Sequence, residues 1–266
     1  ANSRKLGGYT MKYPINIEIS VVIPLYNASK TIVSTINSVL EQSYKVSEIV
    51  LINDGSIDNS SNIVRDVFKE YLDTNFIVLI DKKNEGPSAA RNIGVKIAKH
   101  EWIAFLDSDD QWVYNKIAEQ IDVIKNNKNI NVCGTCSNIL NFNKKGTFFF
   151  VSYKQLLFKN YFSTSSVLLK KESFLHSKGF DESQKYSEDY GLWLEILFCE
   201  NSCVVLNKKL LLYNVFEEDR LSNNSFLMMK GEMLNYKMQF DKRRISFIML
   251  QVLYTLSFIK FLKRAF

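Results

Sequence analysis

The stretch Phe105-Leu-Asp-Ser-Asp-Asp-Gln-Trp112 sets three carboxylates within four residues, directly after an apolar run. Carboxylates crowded this closely repel one another unless a cation or hydrogen-bond donors neutralise them. Hard oxygen donors suit Mg2+ or Mn2+, ions that commonly bridge to the phosphates of a ligand. Taken alone, the same residues are equally compatible with a polar turn in which an aspartate caps a helix. Three further polar clusters accompany it. Pro24-Leu-Tyr26-Asn27 and Asn53-Asp54-Gly55-Ser56 each follow an apolar run, and Glu85-Gly86-Pro87-Ser88-Ala89-Ala90-Arg91-Asn92-Ile93-Gly94 opens a helix with small residues and an arginine one turn in. Small residues let a ligand approach the backbone, and an arginine fork suits a diphosphate. Farther along, Glu188 and Asp189 stand where a helix should begin. Taken alone they are ordinary, since acids favour the first turn of any helix through its dipole.

These clusters need elements that bring them together. The β-branched run over 17–25 predicts a buried strand, and the apolar spacing over 28–42 predicts an amphipathic helix. Strands are expected at 47–53, 76–81 and 101–106, with helices from Asp58 to about Leu72 and over 88–99. This alternation predicts an α/β domain with a mainly parallel, Rossmann-like central sheet flanked by helices. Ligands on such sheets sit at the carboxyl ends of the strands, where the four clusters lie. From about 113 the pattern loosens: a helix over 113–126, short strands near 130–140, 147–152, 164–170, 203–206 and 210–213, and helices over 188–198 and 226–240. The expected layout is a non-native leader at 1–10 before Met11, a catalytic domain over 11–220 and a C-terminal helical region over 221–266. The catalytic domain is read as a donor-binding half over 11–112 and an acceptor-binding half over 113–220.

Composition narrows the choice. The chain has 266 residues with 46% hydrophobic and 23% charged, ordinary for a globular protein of one large or two small domains. It carries neither a GxGxxG dinucleotide fingerprint nor a P-loop. Its two histidines, His100 and His176, exclude a multi-histidine metal centre, and His176 reads as a surface residue. Cys133, Cys136, Cys199 and Cys203 have spacings that a zinc site would use, but a strand over 131–138 would turn Cys133 and Cys136 to opposite faces, which favours buried free thiols. The net charge of +6 is concentrated in residues 241–266, where six basic residues face only Asp241. A near-neutral body with a basic tail argues against nucleic acid and for a local anionic partner.

In order and spacing, Ser20-Val-Val-Ile-Pro-Leu-Tyr-Asn27, Asn53-Asp-Gly-Ser-Ile-Asp58, the 84–94 stretch and Phe105-Leu-Asp-Ser-Asp-Asp110 resemble the signatures of family 2 glycosyltransferases with the GT-A fold. The resemblance covers about 17–215. It implies transfer of a hexose or N-acetylhexosamine from a UDP-sugar to a saccharide hydroxyl, with inversion. Under it, Pro24, Tyr26, Asn27 and Asp54 would line the nucleoside pocket. Gly86, Arg91, Asp107 and Ser108 would lie near the ribose and diphosphate, and Asp109 would bind the metal. Ser187-Glu188-Asp189-Tyr190-Gly-Leu-Trp193 resembles the family's Glu-Asp motif, which makes Asp189 the base and Glu188 an acceptor contact, while Trp193, one turn on, could stack on an acceptor sugar or fill the core. Many relatives carry Arg-x-His after the strand at 210–213; here Tyr213-Asn-Val-Phe216 replaces it, which leaves the third metal ligand without a counterpart.

The run over 245–259 is too short to span a bilayer and has basic residues at both ends. It reads as a helix on an anionic membrane surface, or as one packed on the domain or in a homodimer. With the resemblance, this implies a bacterial surface-polysaccharide enzyme, peripheral at the cytoplasmic face of the inner membrane, with a lipid-linked acceptor. Two rivals stand beside it. A sugar-1-phosphate nucleotidyltransferase would need a Gly-rich basic loop after the first strand, which Pro24–Asn27 does not supply. An inactive membrane scaffold would have no use for the carboxylate set.

Overall fold

The computed structural model describes residues 16–127, 129–138, 140, 142, 145–200, 202–213 and 224–265. The expected leader at 1–10 and the 214–216 stretch lie outside these residues. The donor half runs β1 (Ile19–Leu25), α1 (Ile32–Leu40), β2 (Glu48–Asp54), α2 (Ser60–Val67), α3 (Lys69–Asp73), β3 (Ile77–Lys82), α4 (Pro87–Ile97) and β4 (Trp102–Phe105). The second half runs β5 (Gln111–Trp112), α5 (Lys116–Asn126), β6 (Val132–Ser137), β7 (Phe148–Phe150), α6 (Tyr153–Phe158), β8 (Leu168–Lys170), α7 (Lys171–His176), α8 (Glu188–Cys199), β9 (Cys203–Leu212), α9 (Ser225–Asp241) and α10 (Phe247–Ala265).

One sheet joins the described strands in the order β3-β2-β1-β4-β8-β6-β9-β5, with β7 also paired to β9. β1 is parallel to both β2 and β4, and β2 is parallel to β3. Past β4 the sheet is mixed: β8 is antiparallel to β4 and β6, β6 is parallel to β9, and β5 and β7 are antiparallel to β9. The parallel expectation thus holds throughout the donor half, and in the second half only for β6 with β9 among the described strands. Side chains on the two faces enter two separate cores, Val22 in one and Val21 and Ile23 in the other. Burial on both faces is why β1 reads as an unbroken apolar run. α4 lies close on β1, because a Cβ at Gly94 would stand 2.4 Å from Val22 Cγ1.

Three boundaries differ from the sequence reading. The helix expected from Asp58 to Leu72 breaks at Phe68, which leaves helical geometry (φ −111°, ψ 26°) and buries its ring. The two strands expected at 203–206 and 210–213 are one strand, β9. Its polar middle, Asn207-Lys-Lys209, looks like a turn in sequence, but Lys208 reaches solvent and pairs with Glu119 at 2.7 Å. Finally, α10 extends beyond the expected run, to Ala265. Cys133 and Cys136 are free, buried and divided between the two cores, as alternation along β6 requires.

α9 and α10 form a hairpin, with Phe240 against Phe247 at one end and Phe226 against Phe261 at the other. Gly231 of α9 sits so close to the chain before α8 that a Cβ there would meet the Tyr186 carbonyl oxygen at 2.2 Å.

Candidate active site

The carboxylate loop between β4 and β5 is held by hydroxyls. Thr31 and Thr35 donate to the Ser108 carbonyl at 2.8 and 3.0 Å, and Thr35 also reaches the Asp110 carbonyl at 2.9 Å. From the other side, Ser165 Oγ accepts from the Asp107 amide at 3.1 Å and donates to Asp110 Oδ2 at 2.7 Å. Asp110 is buried, whereas Asp107, Ser108 and Asp109 remain partly exposed on the turn. Asp110 therefore anchors the loop, and its two neighbouring carboxylates are presented.

Among the described residues, no three histidine, cysteine, aspartate or glutamate side chains gather closely enough to hold a metal by themselves. Two hard carboxylates in one turn, with Asp107 already facing Arg91, fit a divalent cation whose remaining ligands are diphosphate oxygens and water.

Arg91 links this loop to the second half. Its Nη2 lies 2.6 Å from Asp107 Oδ1 and its Nη1 lies 3.3 Å from Glu188 Oε1. It is only 5% exposed and its guanidinium carbon stands 5.2 Å from the Phe180 ring centre. Burial opposes its charge, but Asp107 and Glu188 outweigh that and hold it as a cation. The sequence reading placed Arg91 against the donor diphosphate; in the structure its fork is turned inward to two carboxylates.

Glu188 and Asp189 open α8, preceded by Ser187 at φ 55°. A left-handed serine is costly and persists only when its surroundings hold it. Here Asn235 Nδ2 of α9 donates to the Ser187 carbonyl at 2.8 Å, and Ser187 Oγ donates to the Met228 carbonyl at 3.2 Å. Gly191 makes room for Asn235, since a Cβ there would stand 2.7 Å from Asn235 Oδ1. Burial, then the neighbouring Glu188 charge, push the Asp189 carboxyl up to about 7; the Tyr190 amide, 2.7 Å from Asp189 Oδ1, and Arg91 oppose the rise. Burial also raises Glu188, against the pull of Arg91. One buried cation thus faces three carboxyls, and Asp189 is poised to exchange a proton near neutral pH.

At the nucleoside end, Tyr26 is 49% exposed beside Asn27, which adopts φ 47°. The Asn27 amide donates to Ser56 Oγ at 3.1 Å and its Oδ1 accepts from the Ile57 amide at 2.9 Å, which ties two strand-end loops together. Asp54 is buried. It accepts from Lys82 Nζ at 2.6 Å and from the Glu85 and Gly86 amides at 3.0 and 2.8 Å. It therefore shapes the loop before α4, where Gly86 takes φ 94° and Pro87 starts the helix.

The structure ion-pairs Arg91 with Asp107 and Glu188, with Asp189 beside them within reach of the Arg91 charge and Ser108 and Asp109 on the adjoining turn. Two expectations are corrected. Trp193 is 0% exposed in the core, packed on Phe162 and Phe180, and offers no surface to an acceptor. Its rings meet Phe162 tilted and Phe180 edge-on, so the helical position one turn after Asp189 faces the core. Pro24 is likewise buried within β1 and forms no open pocket wall. The sequence reading missed Thr31, Thr35, Ser165 and Asn235. Hydroxyls and amides of this kind are common everywhere, so only their partners reveal them.

Residues 20–180, more than half of the chain, match the family described as Glycosyl transferase family 2. The chain belongs to that family. Over 221 residues it is 32% identical to the Escherichia coli protein named UDP-Glc:alpha-D-GlcNAc-diphosphoundecaprenol beta-1,3-glucosyltransferase WfgD, covering 80% of this chain and 83% of that one. Matches to three uncharacterized Rickettsia glycosyltransferases span only 15%, 58% and 32% of those proteins. The fold is that of the GT-A glycosyltransferases. It resembles Staphylococcus aureus TarS in complex with UDP-GlcNAc, at TM-score 0.70 and 21% identity over 83% of this chain and 66% of that one. It also resembles a Pyrobaculum calidifontis mannosyltransferase in complex with GDP-Man and Mn2+, at TM-score 0.70 and 16% identity over 92% and 73% of the two chains.

Proposed function

We propose that this chain is an inverting glycosyltransferase that moves a hexose or N-acetylhexosamine from a UDP-sugar to a hydroxyl of a lipid-linked saccharide in bacterial surface-polysaccharide synthesis. The observation that carries the reading is the Arg91 tie, which sets the Asp107 carboxylate beside the Glu188–Asp189 pair. A donor held at the first and an acceptor held at the second would meet along that line.

Asp189 takes the proton of the acceptor hydroxyl. That oxygen bonds to the anomeric carbon from the side opposite the diphosphate, whose bond to the same carbon breaks as UDP leaves. A carboxyl pushed up to about 7 is strong enough as a base and still ionised in part at neutral pH. Arg91 fixes Asp107 and Glu188, so the charges around the reacting atoms need not reorganise. Tyr26 presents an exposed ring on which a uracil can stack. A divalent cation, Mn2+ or Mg2+, held at Asp109 and supported by Asp107, would neutralise charge building on the departing diphosphate. The WfgD name, with its UDP-Glc donor and diphosphoundecaprenol acceptor, supports a UDP-sugar and a lipid carrier, and with them work at a membrane surface.

UDP release from a panel of UDP-sugars, with Mn2+ and then with EDTA, tests this. Release from one donor that EDTA abolishes supports the donor and the metal together. A protein that binds UDP but turns over no donor, with or without a lipid-linked acceptor, would refute the enzymatic reading. Asp109→Ala should remove the metal effect on UDP binding.

A further inference from the structure

α10 buries one face against the body through Leu250, Leu253 and Ser257. Its opposite face carries Phe247, Ile248, Val252, Phe258, Ile259 and Leu262, each between 38% and 76% exposed. At 100° per residue these six fall within an arc of about 140°, centred opposite the buried line. A surface helix normally turns charges outward; here the outward face is apolar, with only Gln251 and Thr255 among those residues.

The charges sit at the ends. Of the basic cluster before α10, Lys242 and Arg244 are held by Glu195, each at 2.8 Å, and Lys260 is held by Glu232 at 3.1 Å. Arg243 at one end and Lys263 and Arg264 at the other are exposed, and no acidic residue follows Asp241. A second α10 packed on this face, parallel or antiparallel, would bring cation against cation at both ends. The stripe is also broader than the narrow seam that two paired helices share. An anionic bilayer surface suits both the width and the charge, and no described helix is long and apolar enough to cross a membrane.

From this we infer that the outward face of α10 is a membrane-docking surface, seated among acyl chains at the level of anionic phospholipid headgroups, with Arg243 and Lys263 on the phosphates. The docking face is joined to the site through α9. Ser257 and Lys260 of α10 bond to Glu232, and Asn235, on the same helix, holds the Ser187 carbonyl ahead of Glu188 and Asp189. The base therefore keeps a fixed height and tilt above the bilayer, as an acceptor anchored in that bilayer demands. The surface stands on its own geometry, and the last clause alone rests on the transferase reading.

The full chain is sedimented with vesicles of phosphatidylethanolamine and phosphatidylglycerol, and separately with phosphatidylcholine alone. Binding should favour the anionic vesicles. Ile248→Asn/Ile259→Asn should weaken it at least tenfold with unfolding temperature and UDP binding unchanged. Val252→Ser/Leu262→Ser, altering different exposed positions, should do the same. Arg243→Glu/Lys263→Glu should abolish the preference for anionic lipid. Wild-type failure to bind either vesicle, or undiminished binding by both apolar double variants, overturns the inference. So does a wild-type dimer in light scattering that the apolar variants convert to monomer without any vesicle binding. UDP binding is read separately, so failure of docking is not confused with failure of the donor site.

Discussion

Asp189→Asn should abolish transfer and, at alkaline pH, make the protein more stable. The folded chain lifts this carboxyl from its ordinary value of 3.8 to about 7, chiefly by burial. Below both values each state is protonated and nothing is gained or lost. Between them the folded state binds the proton that the unfolded state releases, so stability falls by about 1.36 kcal/mol for each pH unit. Above about 7 the loss is complete and constant, at about 4 kcal/mol for the full shift. Asp189 keeps some contact with water, which roughly halves the effect to about 2 kcal/mol. Asparagine accepts the same Tyr190 amide bond and has nothing to ionise. At pH 8 the variant should melt about 4–8 °C above the parent, with an advantage that shrinks steadily down to pH 4. Transfer should fall by about 10²–10⁴-fold with UDP binding retained. Thermal melts at pH 4, 6 and 8 beside a UDP-release assay read both effects. A variant destabilised equally at all three pH values would refute the buried, proton-holding carboxyl, and wild-type turnover would remove Asp189 as base.

Glu188→Gln deletes a negative charge that raises Asp189, so the acid limb of the kcat profile should move down by about one pH unit; an unmoved limb would show that the two carboxyls do not interact. Thr35→Val removes the hydroxyl that reaches the Asp110 carbonyl and leaves the Ser108 carbonyl to Thr31 alone, which should cost about 1–3 kcal/mol of stability and raise the KM for donor; calorimetry and kinetics check it. Trp193→Phe should keep the acceptor kcat/KM within about threefold, because the ring meets only core residues; a tenfold rise in acceptor KM would restore it as a contact.

The donor half was readable because its signals are local. Three strands of the parallel group, β1, β2 and β4, are short buried runs, and each ends in a cluster whose side chains, Asn27, Asp54 and Asp107, lie at the strand end or a few residues beyond. The second half was harder. Its strands mix directions, β9 carries an exposed polar middle, and the two-residue β5 is too short to leave a pattern. Residue types revealed Arg91 and Glu188, but their pairing spans 97 positions and no local rule reports it. The roles assigned to Trp193 and Pro24 came from motif position, and burial decided against both. Asn235 escaped notice for a further reason: its task is to hold a backbone carbonyl of Ser187 in a conformation that serine does not advertise.

The Arg91 tie also bears on how such proteins can be recombined. Residue 113, where the sequence pattern changes, looks like a natural seam for grafting a new acceptor half onto an existing donor half. A graft there separates Arg91 and Asp107 from Glu188. Unless the incoming segment supplies a carboxylate at that place, the hybrid keeps Asp107 but loses the Glu188 bond to a buried guanidinium, a loss of about 1.5–3 kcal/mol. Acceptor preference is then inherited together with the charge that locks it to the donor half, and a workable chimera must transplant both or redesign Arg91 first.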